Sequence, residues 1–471
     1  MAQASEKLRT AACRTAAFFD CWHWIFLILA APLLLFPSPA RTPALLVISG
    51  LWIITWLTRR EPLTCTPFNG PLLLLSVMVL VSLYATYDIA VSLPKIAGMV
   101  LGIGVFYAFA REGRHPRGWW LCCWVFMGIG IGIAGLGLLG TRWIAKVGAL
   151  TPVISRLPSA LVNLPGASEG LHPNEVAGAL LWVMPVLASF LQLAWIRARG
   201  GRAVWVWFLA LALTLFVTGV FALTQSRGGY IAFAVTGLVL VLIMLPPRAR
   251  QLTVAALAIL AVVALVVVAR VGPNAALHRL LGGSRSADLA LSLDTLEGRV
   301  EVWSRALYAI QDFPLTGMGM NTFRHIVPVL YPLFLVGPDF DIAHAHNEFL
   351  QAALDLGLPG LVAFLALYIG AFWMLAEIWR IADGRRQVSD GESSALMLCT
   401  PQTLRALVLG LGGGLFAHLI YGMTDAVALG AKPGVLFWML LGLIAGLFDQ
   451  ARRNHQVQDV IPVLLDKSPR A

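Results

Sequence analysis

Three polar clusters interrupt an otherwise apolar chain, and their residue types suit chemistry on a phosphorylated leaving group. The first is Gln225-Ser226-Arg227-Gly228-Gly229, a tight break inside the apolar stretch from Val204 to Leu245. Its paired glycines let backbone N–H groups approach a ligand, and arginine grips phosphate through two parallel hydrogen bonds. A snorkelling arginine at a membrane edge is the plain alternative. Arg227 opposes the charge pattern of its side of the membrane, however, and ionisable residues so placed are functional candidates. The second cluster surrounds Arg299, on a helix expected to open at the capping box Asp294-Thr295-Leu296-Glu297 and to end near Asp312 before Phe313-Pro314. Val302, Trp303, Ala306 and Ile310 share one face of it, and Arg299 lies on that same stripe. Arg305 has Glu301 one turn earlier as an i,i+4 partner and needs no other explanation. Arg299 has no such neighbour, so an inward-facing cation there wants an anion.

The third cluster is His344-Ala345-His346-Asn347-Glu348-Phe349-Leu350. It is expected to begin a short helix that runs to Asp355 and breaks at Gly357-Leu358-Pro359-Gly360. Two histidines near Asp339 and Asp341 suggest a metal, but i,i+2 residues of a helix point apart and the i,i+4 zinc spacing is missing. In the first turn of a helix the dipole favours neutral imidazole, which can accept a proton. A capping or packing histidine is the bland alternative. Taken together, two arginines and a neutral histidine suit displacement of a diphosphate by a hydroxyl. The leaving group needs its charge neutralised, the hydroxyl needs a base, and His346 can serve. A glycoside hydrolase would show paired carboxylates instead, and none stands apart here. Neither a metal nor any other cofactor is demanded.

The elements that must position these residues are membrane helices. Of 471 residues, 59% are hydrophobic and only 12% charged, against about 25% charged in soluble domains. The apolar runs are continuous rather than alternating, so the expected fold is an all-α polytopic bundle of about twelve transmembrane helices. The first two spans, 22–38 and 43–58, are short and proline-flanked, and a re-entrant hairpin there would leave every later orientation unchanged. The leader from Lys7 to Arg14 followed by the apolar stretch to Phe36 reads as an uncleaved first span rather than a signal peptide. Three regions follow: an N-terminal bundle over 1–270 with about nine helices, a long loop over 271–357 carrying the histidine segment, and a C-terminal bundle and tail over 358–471 with about three. A second, modest loop at 141–173 contains Arg142, Lys146, Arg156 and His172.

Most of the 34 lysines and arginines behind the net charge of +10 fall in one alternating set of short connections and in both tails. That is the positive-inside pattern, so both termini are expected in the cytoplasm and all three polar clusters on the periplasmic side of the inner membrane. Basicity here encodes orientation, and no nucleic-acid partner is expected. The six cysteines fall in or near cytoplasmic segments, at spacings that form neither a disulfide framework nor a zinc pattern.

In this order and topology the motifs resemble the O-antigen ligase and O-antigen polymerase superfamily. The likeness is carried by Ser226-Arg227-Gly228-Gly229 between two membrane helices, by Gly298-Arg299 through Trp303 to Pro314 and Gly317-Met318-Gly319, and by His346-Asn347-Glu348-Phe349-Leu350. His172-Pro173-Asn174 ahead of a membrane helix adds to it, and the whole spans roughly residues 160–430. The resemblance implies a fold similar to the GT-C glycosyltransferases and metal-independent transfer from an undecaprenyl-diphosphate-linked glycan. It assigns Arg227 and Arg299 to the donor diphosphate and His346 to acceptor activation. Ser226, Gly228, Asn347, His172 and Asp425 are supporting positions. His344 is the rival base, and the Asn-x-x-Leu that follows favours His346. The acceptor separates family members: lipid A-core for a ligase, another lipid-linked repeat for a polymerase, Ser or Thr for a protein O-oligosaccharyltransferase. One dominant loop leans toward a ligase. A bicarbonate-carrier-like secondary transporter is the reading from another class. It would need ionisable residues near the bilayer midplane, where His418 is the main exception in an otherwise apolar interior and is explained by a packing hydrogen bond.

Overall fold

The computed structural model describes Thr10 and residues 64–143, 150–157, 170–199, 204–271, 296–335, 342–384, 400–427, 429–430 and 432–466. The main helices are α1 (Asn69–Ala85), α2 (Ile89–Glu112), α3 (Pro116–Gly140), α4 (Pro173–Ala198), α5 (Val204–Leu223), α6 (Arg227–Met244), α7 (Pro247–Val271), α8 (Leu296–Asp312), α9 (Phe323–Leu330), α10 (Glu348–Gly384), α11 (Pro401–Tyr421) and α12 (Val435–Asp466). Eight helical stretches among the described residues are long and apolar enough to cross a membrane. The protein is therefore an all-α polytopic membrane protein. The spans expected at 22–38 and 43–58 lie outside the described residues, as do Asp339, Asp341 and the start of the capping box. The one strand-like contact among the described residues, a parallel bridge between Thr141 and Leu171, draws the two ends of the 141–173 connection together.

Helix starts follow local chemistry. Asp88 caps α2 by accepting the Ala90 N–H at 2.8 Å, and Ser226 caps α6 through the Gly229 N–H at 3.3 Å. Proline opens α3, α4 and α11, where its missing N–H costs nothing. Packing between the spans relies on small residues, because apolar surface alone does not drive helices together in lipid. On α11, a Cβ at Gly414 would meet the Trp182 carbonyl carbon at 3.2 Å, so that helix lies almost against the backbone of α4. Gly442 of α12 likewise brings that helix close to Phe106 and Phe109 of α2. Helices from the two ends of the chain therefore share one continuous core.

Between α7 and α10 the chain builds a second, smaller core. Val302, Ala306 and Ala309 of α8 pack with Met318, Phe323 and Val327, and against Ile342, Ala345 and Leu354. Of the apolar stripe expected on α8, Val302 and Ala306 are thus buried and Trp303 and Ile310 half-buried, and the core that Val302, Ala306 and Ile310 join includes Ala345 of the histidine segment. Gly317-Met318-Gly319-Met320, expected as a flexible turn, is clamped. Met318 donates to the Leu354 carbonyl at 2.7 Å, and both methionines are buried. The short helix expected from His344 and the following span are one helix, α10. It begins only at Glu348 and kinks at Gly357 (φ 70°, ψ 177°).

Candidate active site

The stretch before α10 is not helical, and His346 adopts a left-handed backbone with φ 47°. Asn347 stops the irregular run: its Oδ1 accepts the Phe349 and Leu350 N–H groups, both at 3.0 Å, and its Nδ2 donates to the Met423 carbonyl at 3.2 Å. The histidine segment is therefore pinned to the loop that follows α11. That loop carries Asp425, 5% exposed. Its Oδ1 lies 3.4 Å from His344 Nε2 and 3.9 Å from His346 Nδ1, and accepts the Ala426 N–H at 2.9 Å. The Tyr421 hydroxyl reaches both Asp425 Oδ2 (2.9 Å) and the Asn174 carbonyl (2.7 Å).

Hydrogen bonds distinguish the two imidazoles. His344 Nδ1 accepts the backbone N–H of His346 at 3.2 Å, so its proton sits on Nε2 and faces Asp425. Both nitrogens of His344 are thereby engaged. His346 Nδ1 is buried beside Asp425 without a hydrogen bond, and its Nε2 makes none to any described residue. Burial is the main reason that both imidazoles are neutral. It pushes His346 down to about 3, assisted by His344, Arg299 and His172 and opposed by Asp425. His344 is also lowered, by burial first, with Asp425 opposing and Lys95, His172 and Arg299 assisting. Burial works against ionisation of Asp425, but the two imidazoles, the Ala426 amide and the Tyr421 hydroxyl outweigh it and hold the carboxyl below its usual value.

Two expectations are corrected here. The helix dipole is not what keeps the histidines neutral, because neither residue is in the helix. The i,i+2 argument against a metal also fails, since off the helix the rings lie 4.5 Å apart and the ligand atoms of His344, His346 and Asp425 fall within 4.8 Å of one another.

The arginines approach the same loop. Arg299 Nη1 donates to the Thr424 carbonyl at 2.9 Å, one residue from Asp425. An inward-facing Arg299 was expected to lack a local partner; the tertiary fold supplies this carbonyl. The start of α6 meets the other side of Thr424, where a Cβ on Gly228 would overlap the threonine hydroxyl. Arg227 is the exposed first residue of that helix, next to Gln225 at φ 50°. His172 is exposed at the start of α4, where its Nδ1 accepts the Asn174 N–H at 3.3 Å. The structure thus gathers His344, His346, Asn347 and Asp425 directly, and brings Arg299 and the Ser226–Gly228 turn to Thr424. Glu301 proves more than a partner for Arg305 (3.8 Å): its oxygens accept the Phe334 and Leu335 N–H groups at 2.6 and 2.9 Å, holding the strap after α9.

Sequence reasoning missed Thr424 and Tyr421, which look like ordinary residues at the end of an apolar span. It also missed Glu348, 2% exposed, which accepts the Leu429 N–H at 3.2 Å and lies 3.6 Å from His418. His418 is not mid-helix but in the last turn of α11, stacked on Trp182 at 3.8 Å. No curated protein matches the chain. Residues 210–365, which include Arg227, Arg299 and both histidines, match the family described as O-antigen ligase. This match, over about a third of the chain, supports a place in the O-antigen ligase/polymerase superfamily.

Proposed function

We propose that the protein transfers a glycan from undecaprenyl diphosphate to an acceptor hydroxyl at the periplasmic face of the inner membrane, and that the acceptor is lipid A-core. The observation that carries this reading is one uncommitted imidazole nitrogen, His346 Nε2, held beside a buried carboxylate in a loop where Arg299 and the α6 start also meet. Asp425 next to Nδ1 favours the tautomer with its proton there, leaving the Nε2 lone pair outward, and stabilises the imidazolium that forms. The acceptor O–H proton passes to Nε2 as its oxygen bonds to the anomeric carbon. The bond from that carbon to the phosphate oxygen breaks, and its electrons leave with undecaprenyl diphosphate. Arg227 and Arg299 neutralise the charge that grows on the leaving group. Ser226 and Gly228 keep the α6 start close enough for Arg227 to take part, while His344, Asn347 and His172 shape the pocket.

Metal independence is part of the proposal. By distance alone the two histidines and Asp425 could hold a divalent ion. His344, however, turns an N–H rather than a lone pair toward the carboxylate, which opposes ligation through that nitrogen. The orientation, with both termini cytoplasmic, rests on the placement of the basic residues. In a GT-C-like arrangement of this kind, residues 271–357 form the catalytic segment between the 1–270 and 358–471 bundles.

The test is expression in cells that make lipid-linked O-antigen but lack their own ligase. Wild-type protein should produce a lipopolysaccharide ladder that persists in membranes treated with EDTA, and His346→Ala at matched expression should lose it, a drop of about 10²–10⁴-fold in rate. A ladder abolished by EDTA would overturn metal independence. No ladder from well-expressed wild type would sink ligation. Longer glycan on the lipid carrier would then indicate a polymerase, glycan on protein an O-oligosaccharyltransferase, and solute uptake alone a transporter.

A further inference from the structure

Four parts of the chain converge on one buried carboxylate that the transfer chemistry does not touch. Asp355, 1% exposed, sits on α10 just before the Gly357 kink. Its Oδ2 lies 2.5 Å from Lys95 Nζ of α2. Its Oδ1 accepts the Asn321 N–H at 3.0 Å and Gln351 Nε2 at 2.8 Å. Asn321 in turn donates through Nδ2 to the Val91 carbonyl at 2.9 Å, so the turn before α9 is tied to α2 twice. Gln351 carries the connection onward: its Oε1 accepts the N–H of buried Ala345 at 2.8 Å, between the two histidines.

The chemistry of this chain of bonds is directional. A carboxylate beside a lysine can only accept, so Asp355 selects the NH2 end of the Gln351 amide. The oxygen of that amide must then face Ala345. Were the amide turned over, its N–H groups would oppose the Ala345 N–H. The need for such a brace is visible in the backbone. Outside glycine, φ is positive at only three described residues, Gln225, Asn321 and His346. Such conformations persist only where the surroundings over-determine them. The Asp355 network grips Asn321 directly, and reaches His346 through the His344–Ala345 peptide group, one residue earlier.

We propose that Lys95, Asp355 and Gln351 are positioning residues: a strut that holds the Ala345–His346 backbone in its left-handed turn and so aims the His346 ring. The strut acts on the base and not on the diphosphate. Its catalytic consequence rests on the reading of His346 as that base.

The kinetic test uses Gln351→Leu, which keeps side-chain bulk and removes both hydrogen bonds. Its kcat should fall about 10–100-fold, the scale of a misaimed catalytic group, while KM for the lipid-linked donor stays within about twofold. Combined with His346→Ala it should add no further loss, because the strut has nothing left to aim. Lys95→Met should lower kcat in the same manner, and Lys95→Arg should restore it. Losses that multiply in the double variant, or a Gln351→Leu kcat within twofold of wild type, would overturn the strut. A second measurement is independent of turnover. Carbethoxylation of His346 by diethyl pyrocarbonate, read by peptide mass spectrometry against His325, should change severalfold in Gln351→Leu and Asp355→Asn. An unchanged rate in folded protein refutes positioning. Absence of any transfer by the wild type would instead refute the role of His346, and the carbethoxylation rates would still decide the strut.

Discussion

At Asp425 three side chains compete for one carboxylate: His344 presents an N–H, His346 a buried Nδ1, and Tyr421 a hydroxyl. The competition has a consequence in pH. A base must be neutral to act, and His346 is pushed down to about 3 from an ordinary value of 6.5, chiefly by burial. The pH profile of kcat/KM, which reports the free enzyme, should therefore run flat through 6.5 and fall only in far stronger acid. An acid limb near 6.5 would mean that the titrating base is not this buried imidazole. Stability has the same sign. Both histidines bind protons less readily folded than unfolded, so their contribution is full above the unfolded value near 6.5 and is lost as pH falls through and below it. Melting in detergent should accordingly worsen on acidification before activity does.

Among the elements, α10 does the most to build the site. Its first turns carry Glu348, Gln351 and Asp355 on the loop side, and its remainder is a membrane span. The change of direction is made at Gly357, where φ is 70° and any Cβ would collide with the Leu315 carbonyl. The Leu358 N–H donates to the Pro314 carbonyl at 2.7 Å, so the kink also fixes where the chain leaves α8. Gly357→Ala should destabilise the fold by about 1–3 kcal/mol, the usual cost of a strained backbone position. The same change at Gly384, where a Cβ would meet nothing, should be nearly silent. Denaturation midpoints of the two variants compare them directly, and equal midpoints would mean that α10 can straighten without penalty.

For the molecule as a whole, among the described residues, the buried side chains of Glu348, Asp355, His418 and Asp425 gather at one end of the bundle. His418 and Glu348, buried together, belong to the last turn of α11 and the first of α10, on the side of Asp425. A transporter built around midplane charges would distribute them otherwise. The opposite end carries Arg114, Arg452 and Arg453 around Asp449 in a cavity of about 490 Å³. This separation makes the proposed orientation testable. In a variant lacking the six native cysteines, Tyr308→Cys on α8 should react with an impermeant maleimide added to spheroplasts, whereas Arg453→Cys should react only after the membrane is opened. The reverse pattern would invert the topology and move the site to the cytoplasm.

The all-helical membrane class was legible in composition because lipid cannot satisfy a bare backbone, so long apolar runs have few alternatives to helix. The three motifs were legible because polar residues are conspicuous in such runs. What Arg299, His346 and the Ser226–Gly228 turn have in common in space was not, since Arg299 and the turn approach Thr424 and His346 lies beside Asp425, both in a loop more than seventy residues beyond the histidines. Local periodicity placed the histidines on a helix and pointed to its dipole. Tertiary contacts instead put His346 in a left-handed turn, buried it against Asp425, and engaged both nitrogens of His344. Helical propensity and hydropathy act between near neighbours, so sequence alone carries them. The burial and tautomer of the two imidazoles depend on groups brought from α2, α8, α10 and α11, and only packing determines which of those groups arrive.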